Sequence, residues 1–315
     1  MIATTGKTRG RGNSLLADVR KNAASYLLAL PALLYTFVFG YLTLPYILMA
    51  FQRFDYRKGL LGSDFVGFRN FEFFFRSNRA IQVTFNTIWL NLLFIVIGTL
   101  LALVIALMLN EIHAKRYLKV IQSGLLFPNF LSWVIVSYIV FAFLSSEKGI
   151  VNGALSMAGL KRIEWYGNGE PWRAILVVIR VWKTAGISSV MYLAAITAID
   201  GALYEAATID GAGRIRQMRH ITLPLLMPTV CILALLAVGK IFYGDFQMFY
   251  TIIGDNGLLI PKTDVIDTYV YRALRATGDP SSAMAVGLYQ AFVGFLLVYG
   301  SNRLVRRWFP EGAVF

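Results

Sequence analysis

Apolar residues along the chain fall into six long runs separated by shorter polar segments: Tyr26–Phe51, Thr84–Leu109, Val120–Leu144, Trp172–Ile199, Leu223–Ile253 and Ala283–Leu304. Each run reaches the length of about 20 mostly apolar residues that carries a helix across a bilayer. The pattern predicts an all-α polytopic membrane protein, with six spanning helices packed as one bundle. The fifth run is too long for a single span. Gly239, Gly244 and Asp245 mark where it would break or bend, because glycine is a poor helix former. The polar segments around the bundle predict a basic arm over residues 1–24, a membrane domain over 25–309 with an informative loop at 199–222, and a short tail at 310–315. The first run is too long for the apolar core of a signal peptide and contains Pro31 and Pro45, so it is read as a helix of the bundle.

Composition sharpens this picture. Of 315 residues, 57% are hydrophobic and only 15% charged, whereas soluble domains average about 25% charged. Mean hydropathy is +0.61. A soluble enzyme and a disordered chain are both excluded. The net charge of +13 could point to nucleic acid, but the basic residues lie between long apolar runs, so no nucleic-acid partner is expected and membrane lipid is. The single Cys231 and the well-separated His113 and His220 offer no metal-binding spacing. Gly6-Lys7-Thr8 mimics the end of a phosphate loop, but Met1 stands where the loop needs its first glycine. Lys and Arg in the connecting loops divide 14 on the side of the termini against 13 on the other, so charge by itself barely orients the bundle.

The segment between the fourth and fifth runs reads Tyr204-Glu205-Ala206-Ala207-Thr208-Ile209-Asp210-Gly211-Ala212, then a basic stretch, then Ile221-Thr222-Leu223-Pro224. Ala206 and Ala207 favour helix, so Leu203–Ile209 is expected to be a short helix. Gly211 can take positive φ and end it with a turn. Arg214, Arg216, Arg219 and His220 belong in water. The result is a helical hairpin projecting from one side of the membrane.

This segment resembles the permease subunits of ABC importers. Their signature is Glu-Ala-Ala, three residues, Gly, nine residues, Ile, one residue, Leu-Pro. Glu205, Ala206, Ala207, Gly211, Ile221, Leu223 and Pro224 occupy all seven positions. The resemblance implies a coupling helix that docks on a cytoplasmic ATPase, with Glu205 in polar contact, Ala206 and Ala207 in close packing, Gly211 at the turn and Asp210 in the same set. It places both termini in the cytoplasm of a cell (inner) membrane protein. Phe65-Val66-Gly67-Phe68-Arg69-Asn70-Phe71, Gly244-Asp245-Phe246, Val265–Tyr271 and Gly287-Leu288-Tyr289-Gln290 are similar to carbohydrate-uptake members, in particular lipoprotein-B-like permeases for polysaccharides or oligosaccharides. That implies a type I importer fold, and partners comprising a second homologous permease, two ATP-binding subunits and an extracytoplasmic solute-binding protein. No cofactor is expected in this chain, since ATP and Mg would bind the ATPase. No catalytic residue is expected either.

Polar side chains inside apolar runs are costly and usually face a cavity or another helix. Ser132, Ser137, Tyr138, Trp182, Lys183, Ser188, Tyr192, Lys240, Tyr243, Asp245, Gln247, Tyr289 and Gln290 are therefore candidates for a substrate pathway, as aromatic faces and hydrogen-bonding groups suit a polyol. Each has a structural alternative. Asp245 could simply pair with Lys240 or Lys183, Arg180 could snorkel outward, and Trp133 and Trp172 could sit at the membrane interface. Three cations in the runs, Arg180, Lys183 and Lys240, against one anion, Asp245, would favour an acidic, uronate-containing oligosaccharide if all faced one path. An ion-driven sugar transporter is the alternative function, but it leaves the coupling segment unexplained. A membrane glycosyltransferase would need a carboxylate pair that the sequence lacks.

Overall fold

The computed structural model describes residues 18–76 and 79–308. The phosphate-loop mimic, most of the basic arm and the 310–315 tail lie outside the described residues. The first span, Ala23–Phe51, begins as helix α1 (Ala23–Thr36), widens through a π turn (Phe37–Tyr41) and ends as a tighter 3-10 segment (Leu44–Phe51) with Pro45 in its first turn. Among its described residues only Met49 and Ala50 are buried. A two-stranded hairpin follows, β1 (Gln52–Arg53) against β2 (Asp64–Phe65), enclosing a single turn, α2 (Gly59–Gly62). Then come α3 (Arg69–Phe75) and the long α4 (Ala80–Asn110).

The remaining helices are α5 (Lys115–Phe130), α6 (Trp133–Leu144), α7 (Ile150–Met157), α8 (Trp172–Thr197), α9 (Gly201–Ile209), α10 (Arg214–Gln217), α11 (Leu223–Val238), α12 (Phe246–Ile253), α13 (Ile260–Thr263), α14 (Ile266–Thr277) and α15 (Pro280–Trp308). Among the described residues, five helical segments are long and apolar enough to cross a membrane. The sixth expected span, Val120–Leu144, is two helices, α5 and α6, bent by 97° at a short break. Leu131 and Ser132 are extended there, and the Ser132 hydroxyl caps α6 by accepting from the Ile135 amide at 3.3 Å. The fifth run also divides. Its span occupies Arg214–Val238, starting nine residues before Leu223 because α10 continues through a π turn (Met218–Thr222) into α11. The chain then breaks between Gly239 and Asp245, at the residues singled out from the sequence, and resumes as α12.

Helices α4 and α8 pack along much of their length, and α5, α11 and α15 close around them. Close approach depends on small residues. A side chain begun at Gly186 would put its Cβ 1.9 Å from the Leu125 carbonyl oxygen, and Ala102 and Ala106 are fully buried opposite Tyr192 and Leu193. A second core, built on Leu90, Trp133, Trp172, Leu176, Met248 and Phe249, lies toward the opposite end of the bundle. Trp172 and Trp133 are thus core residues and not interface anchors. Their indole N–H groups donate inward, to the Trp165 carbonyl at 2.6 Å and to Asp245 at 3.0 Å. The two ends are distinct. The 199–222 segment sits beside the C-terminus of α4, where Arg214 meets Glu111 at 3.2 Å. The hairpin is tied to the other end, where the Phe54 amide donates to Ser281 at 3.0 Å at the start of α15.

Candidate functional site

The projecting segment is built largely from local bonds. Asp200 caps α9, its carboxylate accepting from the Ala202 amide at 3.0 Å, which satisfies one of the donors a helix start leaves open. The helix stops at Asp210, and Gly211 follows at φ +76°. The amide of Ala212 donates back to Ala207 O at 2.8 Å and that of Gly211 to Thr208 O at 3.0 Å, a glycine-terminated helix end. Gln217 then donates to Thr208 Oγ1 at 2.9 Å and to Ala212 O at 3.0 Å, folding α10 back on α9. Tyr204 and Thr222 share a hydroxyl bond of 2.9 Å, which joins α9 to the start of α11. Between this loop and the end of α4 lies a cavity of about 160 Å³.

What the loop leaves uncovered is as informative. Glu205, Ala206 and Asp210 are exposed, and the Glu205 carboxylate has no partner among the described residues. Ile209 is 86% exposed and Ile215 78%. Ile221 is half-buried, while Leu223 and Pro224 are exposed at the start of α11. Large aliphatic side chains thus stand exposed beside charged ones on a segment held by its own local hydrogen bonds.

The second constellation joins the two broken helices. Asp245 caps α12, accepting from the Met248 amide at 3.2 Å, and pairs with Arg180 of α8. It also accepts from the Trp133 indole at 3.0 Å. Arg180 and Lys183 lie 5.8 and 5.2 Å from the Trp133 ring, within cation–π reach. The Lys183 ammonium donates to the carbonyls of Pro128, Asn129 and Leu131 at 3.2, 2.9 and 2.6 Å, which caps the end of α5. A cation at a helix C-terminus and an anion at a helix N-terminus both complement the helix dipole. The other break is held likewise. Asn91 donates to Ile241 O and Tyr243 O at 2.9 and 3.2 Å, Gln290 to Phe242 O at 2.7 Å, and the Gly244 amide to Asp267 at 2.5 Å. Non-helical backbone within a membrane bundle persists only where side chains or water satisfy it.

The expected pathway residues therefore divide. Lys183, Tyr192 and Gln290 are buried, and Tyr289 is half-buried against Phe74, Phe75 and Phe242. Ser137 bonds back to Val134 O at 2.7 Å, and Ser188 is half-buried. Ser132, Tyr138, Trp182, Lys240, Tyr243 and Gln247 are exposed on this chain. Asp245 pairs with neither Lys240 nor Lys183, the two partners its spacing offered: it pairs with Arg180 of α8, while the Lys183 ammonium on the same helix is taken up by the carbonyls at the end of α5. Arg180 is held by that pair and does not snorkel outward. Asn91 of α4 and Asp267 of α14 also enter the constellation, Asn91 as a donor to Ile241 O 150 residues away and Asp267 as the acceptor of the Gly244 amide 23 residues away.

Toward the opposite end from the projecting loop, Asn86 donates to Asp264 O at 3.2 Å and accepts from Arg173 at 2.8 Å. Burial pushes the Asp264 carboxyl up despite its bonds to Thr268 and Arg272. Lys262 holds the exposed Glu170 below the usual carboxylate range.

Residues 95–309 match the family model of the binding-protein-dependent transport system inner membrane component. Protein LplB of Bacillus subtilis is 34% identical over 305 residues, covering 97% of this chain and 95% of that protein. The polygalacturonan/rhamnogalacturonan transport system permease protein YteP of the same organism is 36% identical, covering 95% and 92%. Among solved structures, a chain of a bacterial alginate ABC transporter in complex with alginate pentasaccharide-bound periplasmic protein superposes with a TM-score of 0.83 at 33% identity, over 93% of this chain and 97% of that one.

Proposed function

The chain belongs to the binding-protein-dependent transport system inner membrane component family, and from that premise we propose that it forms half of the translocation pathway of an ATP-driven oligosaccharide importer. It is a membrane component of an ABC sugar importer and not itself an enzyme. A second permease of the same fold would complete the pathway, and the exposed polar faces of α6, α8 and the 239–247 bend would line it. Two ATPases would bind and hydrolyse ATP with Mg on the side of the projecting loop, with both termini in the cytoplasm. A solute-binding protein would deliver substrate to the other side.

The observation that carries this reading is the α9–Gly211–α10 loop, which is folded by its own local hydrogen bonds yet offers Glu205, Ile209 and Ile215 to solvent. An ATPase groove that covers these side chains would move them as a unit. The loop is joined to α11 through Tyr204–Thr222, to α4 through Arg214–Glu111 and to α8 directly along the chain. Its displacement therefore reaches three spans at once, and alternating access follows if each nucleotide state of the ATPases favours a different tilt. The test is a detergent pull-down of the tagged chain beside Glu205→Lys. The wild type should bring an ATPase and a second permease, and the variant should keep the permease and lose the ATPase. A wild-type chain that purifies intact without an ATPase would refute the reading and favour an ion-driven transporter.

For the substrate we propose an acidic, uronate-containing oligosaccharide. The charge count is no longer its support, since Arg180 is paired with Asp245 and Lys183 is taken up by carbonyls. The support is similarity to permeases named for polygalacturonan/rhamnogalacturonan and alginate. Uptake of a uronate oligomer and exclusion of a neutral one of equal length by the assembled importer is the expected result. Equal uptake of both, or uptake of the neutral oligomer alone, would overturn it.

A further inference from the structure

The hairpin and the α14–α15 junction, at the end of the bundle away from the projecting loop, enclose a cavity of about 690 Å³. That volume falls within the about 300–1,000 Å³ range of small-molecule sites. Arg53, Arg57 and Arg69 line it. None of the three guanidinium groups has a hydrogen bond or ion pair among the described residues. Asp55, Asp64 and Asp279 line it too, so its formal charges balance, but each of these carboxylates is already engaged. Asp55 accepts from the Arg57 amide at 2.8 Å, and Asp64 pairs with Lys58 at 3.1 Å. Asp279 accepts from the Ser281 amide at 2.9 Å and from Ser282 Oγ at 2.6 Å. Asp64 is neutralised by Lys58, while Asp55 and Asp279 are turned by neutral donors into the fold, and the three exposed guanidinium groups carry no carboxylate partner among the described residues.

The walls are fixed before any ligand arrives. Asn70 donates to Ala50 O at 2.9 Å and Gln52 O at 2.8 Å. The Asp55 amide donates to Ser63 Oγ at 3.0 Å, and the Phe54 amide donates across to Ser281 at 3.0 Å. Tyr56, 76% exposed, makes a T-shaped contact with Phe54, the ring centroids 5.1 Å apart. A guanidinium binds a carboxylate through two parallel hydrogen bonds, and an aromatic face packs against the C–H face of a sugar ring. We infer that this groove is a subsite for a carboxylate-bearing saccharide, holding a uronate residue by Arg53, Arg57 and Arg69 against Tyr56. The inference rests on the acidic-substrate reading above and adds a location to it.

The test uses the full chain assembled with its partners in lipid nanodiscs, without the solute-binding protein, and fluorescently labelled trigalacturonate as probe. Wild type should bind it, with affinity falling as salt rises. The triple Gln variant at positions 53, 57 and 69 should bind at least about tenfold more weakly, the scale of losing a charge-assisted hydrogen bond. Arg57→Gln alone, at the exposed hairpin, guards against misfolding and should weaken binding severalfold, and Arg57→Lys should recover only part of it. Neutral maltotriose should not compete. Unchanged trigalacturonate binding in the triple variant overturns the subsite while leaving the substrate reading intact, provided the wild-type importer takes up the uronate. A triple variant that binds trigalacturonate normally but no longer captures the solute-binding protein also overturns it, and assigns the arginines to protein docking. Wild type that neither binds nor imports uronate refutes both readings together.

Discussion

The projecting loop and the junction of the broken helices are both interruptions of helical structure, and they are stabilised in opposite ways. Most of the loop's hydrogen bonds span few residues, as in Asp200 to Ala202 or Gln217 to Ala212. The junction is held by partners far apart in the chain. Lys183 reaches carbonyls more than 50 residues away, Trp133 reaches Asp245 across 112 and Asn91 reaches Ile241 across 150. The difference follows from the surroundings. Open peptide groups at the end of a membrane bundle can turn to water, whereas those inside it must find protein donors or acceptors. A surface interruption can therefore be written in a few consecutive residues, and an internal one requires the whole fold.

This contrast ranks substitutions. The largest effect should come from Gly186→Ala. Its added Cβ would meet the Leu125 carbonyl oxygen at 1.9 Å and the carbonyl carbon at 2.5 Å, so α5 and α8 must separate. Overpacking of a core typically costs about 1–3 kcal/mol and more where backbone must move, and a sharp fall in thermal stability of the detergent-solubilised protein is expected. An unchanged melting temperature would mean that these helices are not in close contact. Lys183→Met should follow, at about 1–3 kcal/mol. It leaves the Pro128, Asn129 and Leu131 carbonyls without their donor in a buried site. Faster proteolysis or hydrogen exchange confined to the α5–α6 break would locate the damage. Asp200→Ala, which removes the cap from exposed α9, should cost only about 1 kcal/mol, and a loss equal to that of Lys183→Met would erase the proposed distinction between the two regions.

The same contrast explains what could be read from the chain. The six apolar runs, the α9 helix with its Gly211 turn and the break at 239–245 were legible because period, propensity and glycine placement are local properties. The angle of the bend at Leu131–Ser132 was not. Pro128-Asn129 and the Ser132 cap are local signals of a break in Val120–Leu144, but they do not announce its 97° angle, and the ammonium that stabilises it comes from α8. Lys183 and Asp245 were correctly marked as costly charges, but their partners were not legible, because Arg180, Trp133 and three carbonyls converge only in the folded bundle.

Glu205→Lys should have the smallest effect on stability and the largest separation between stability and function. Glu205 is exposed on α9 and its carboxylate has no partner among the described residues, so the change should fall within about 0.5 kcal/mol. Melting and assembly with the second permease should match wild type. If the loop is a docking surface, the reversed charge must nevertheless remove the ATPase from the purified complex and abolish ATP-dependent uptake. A drop in melting temperature as large as that of Lys183→Met would instead assign Glu205 to the fold, and the loop would then resemble the junction more than a surface made for another protein. Retention of the ATPase at unaltered stability would place the contact on the apolar side chains alone, and Ile209→Asp, equally exposed, would then be the substitution that releases it.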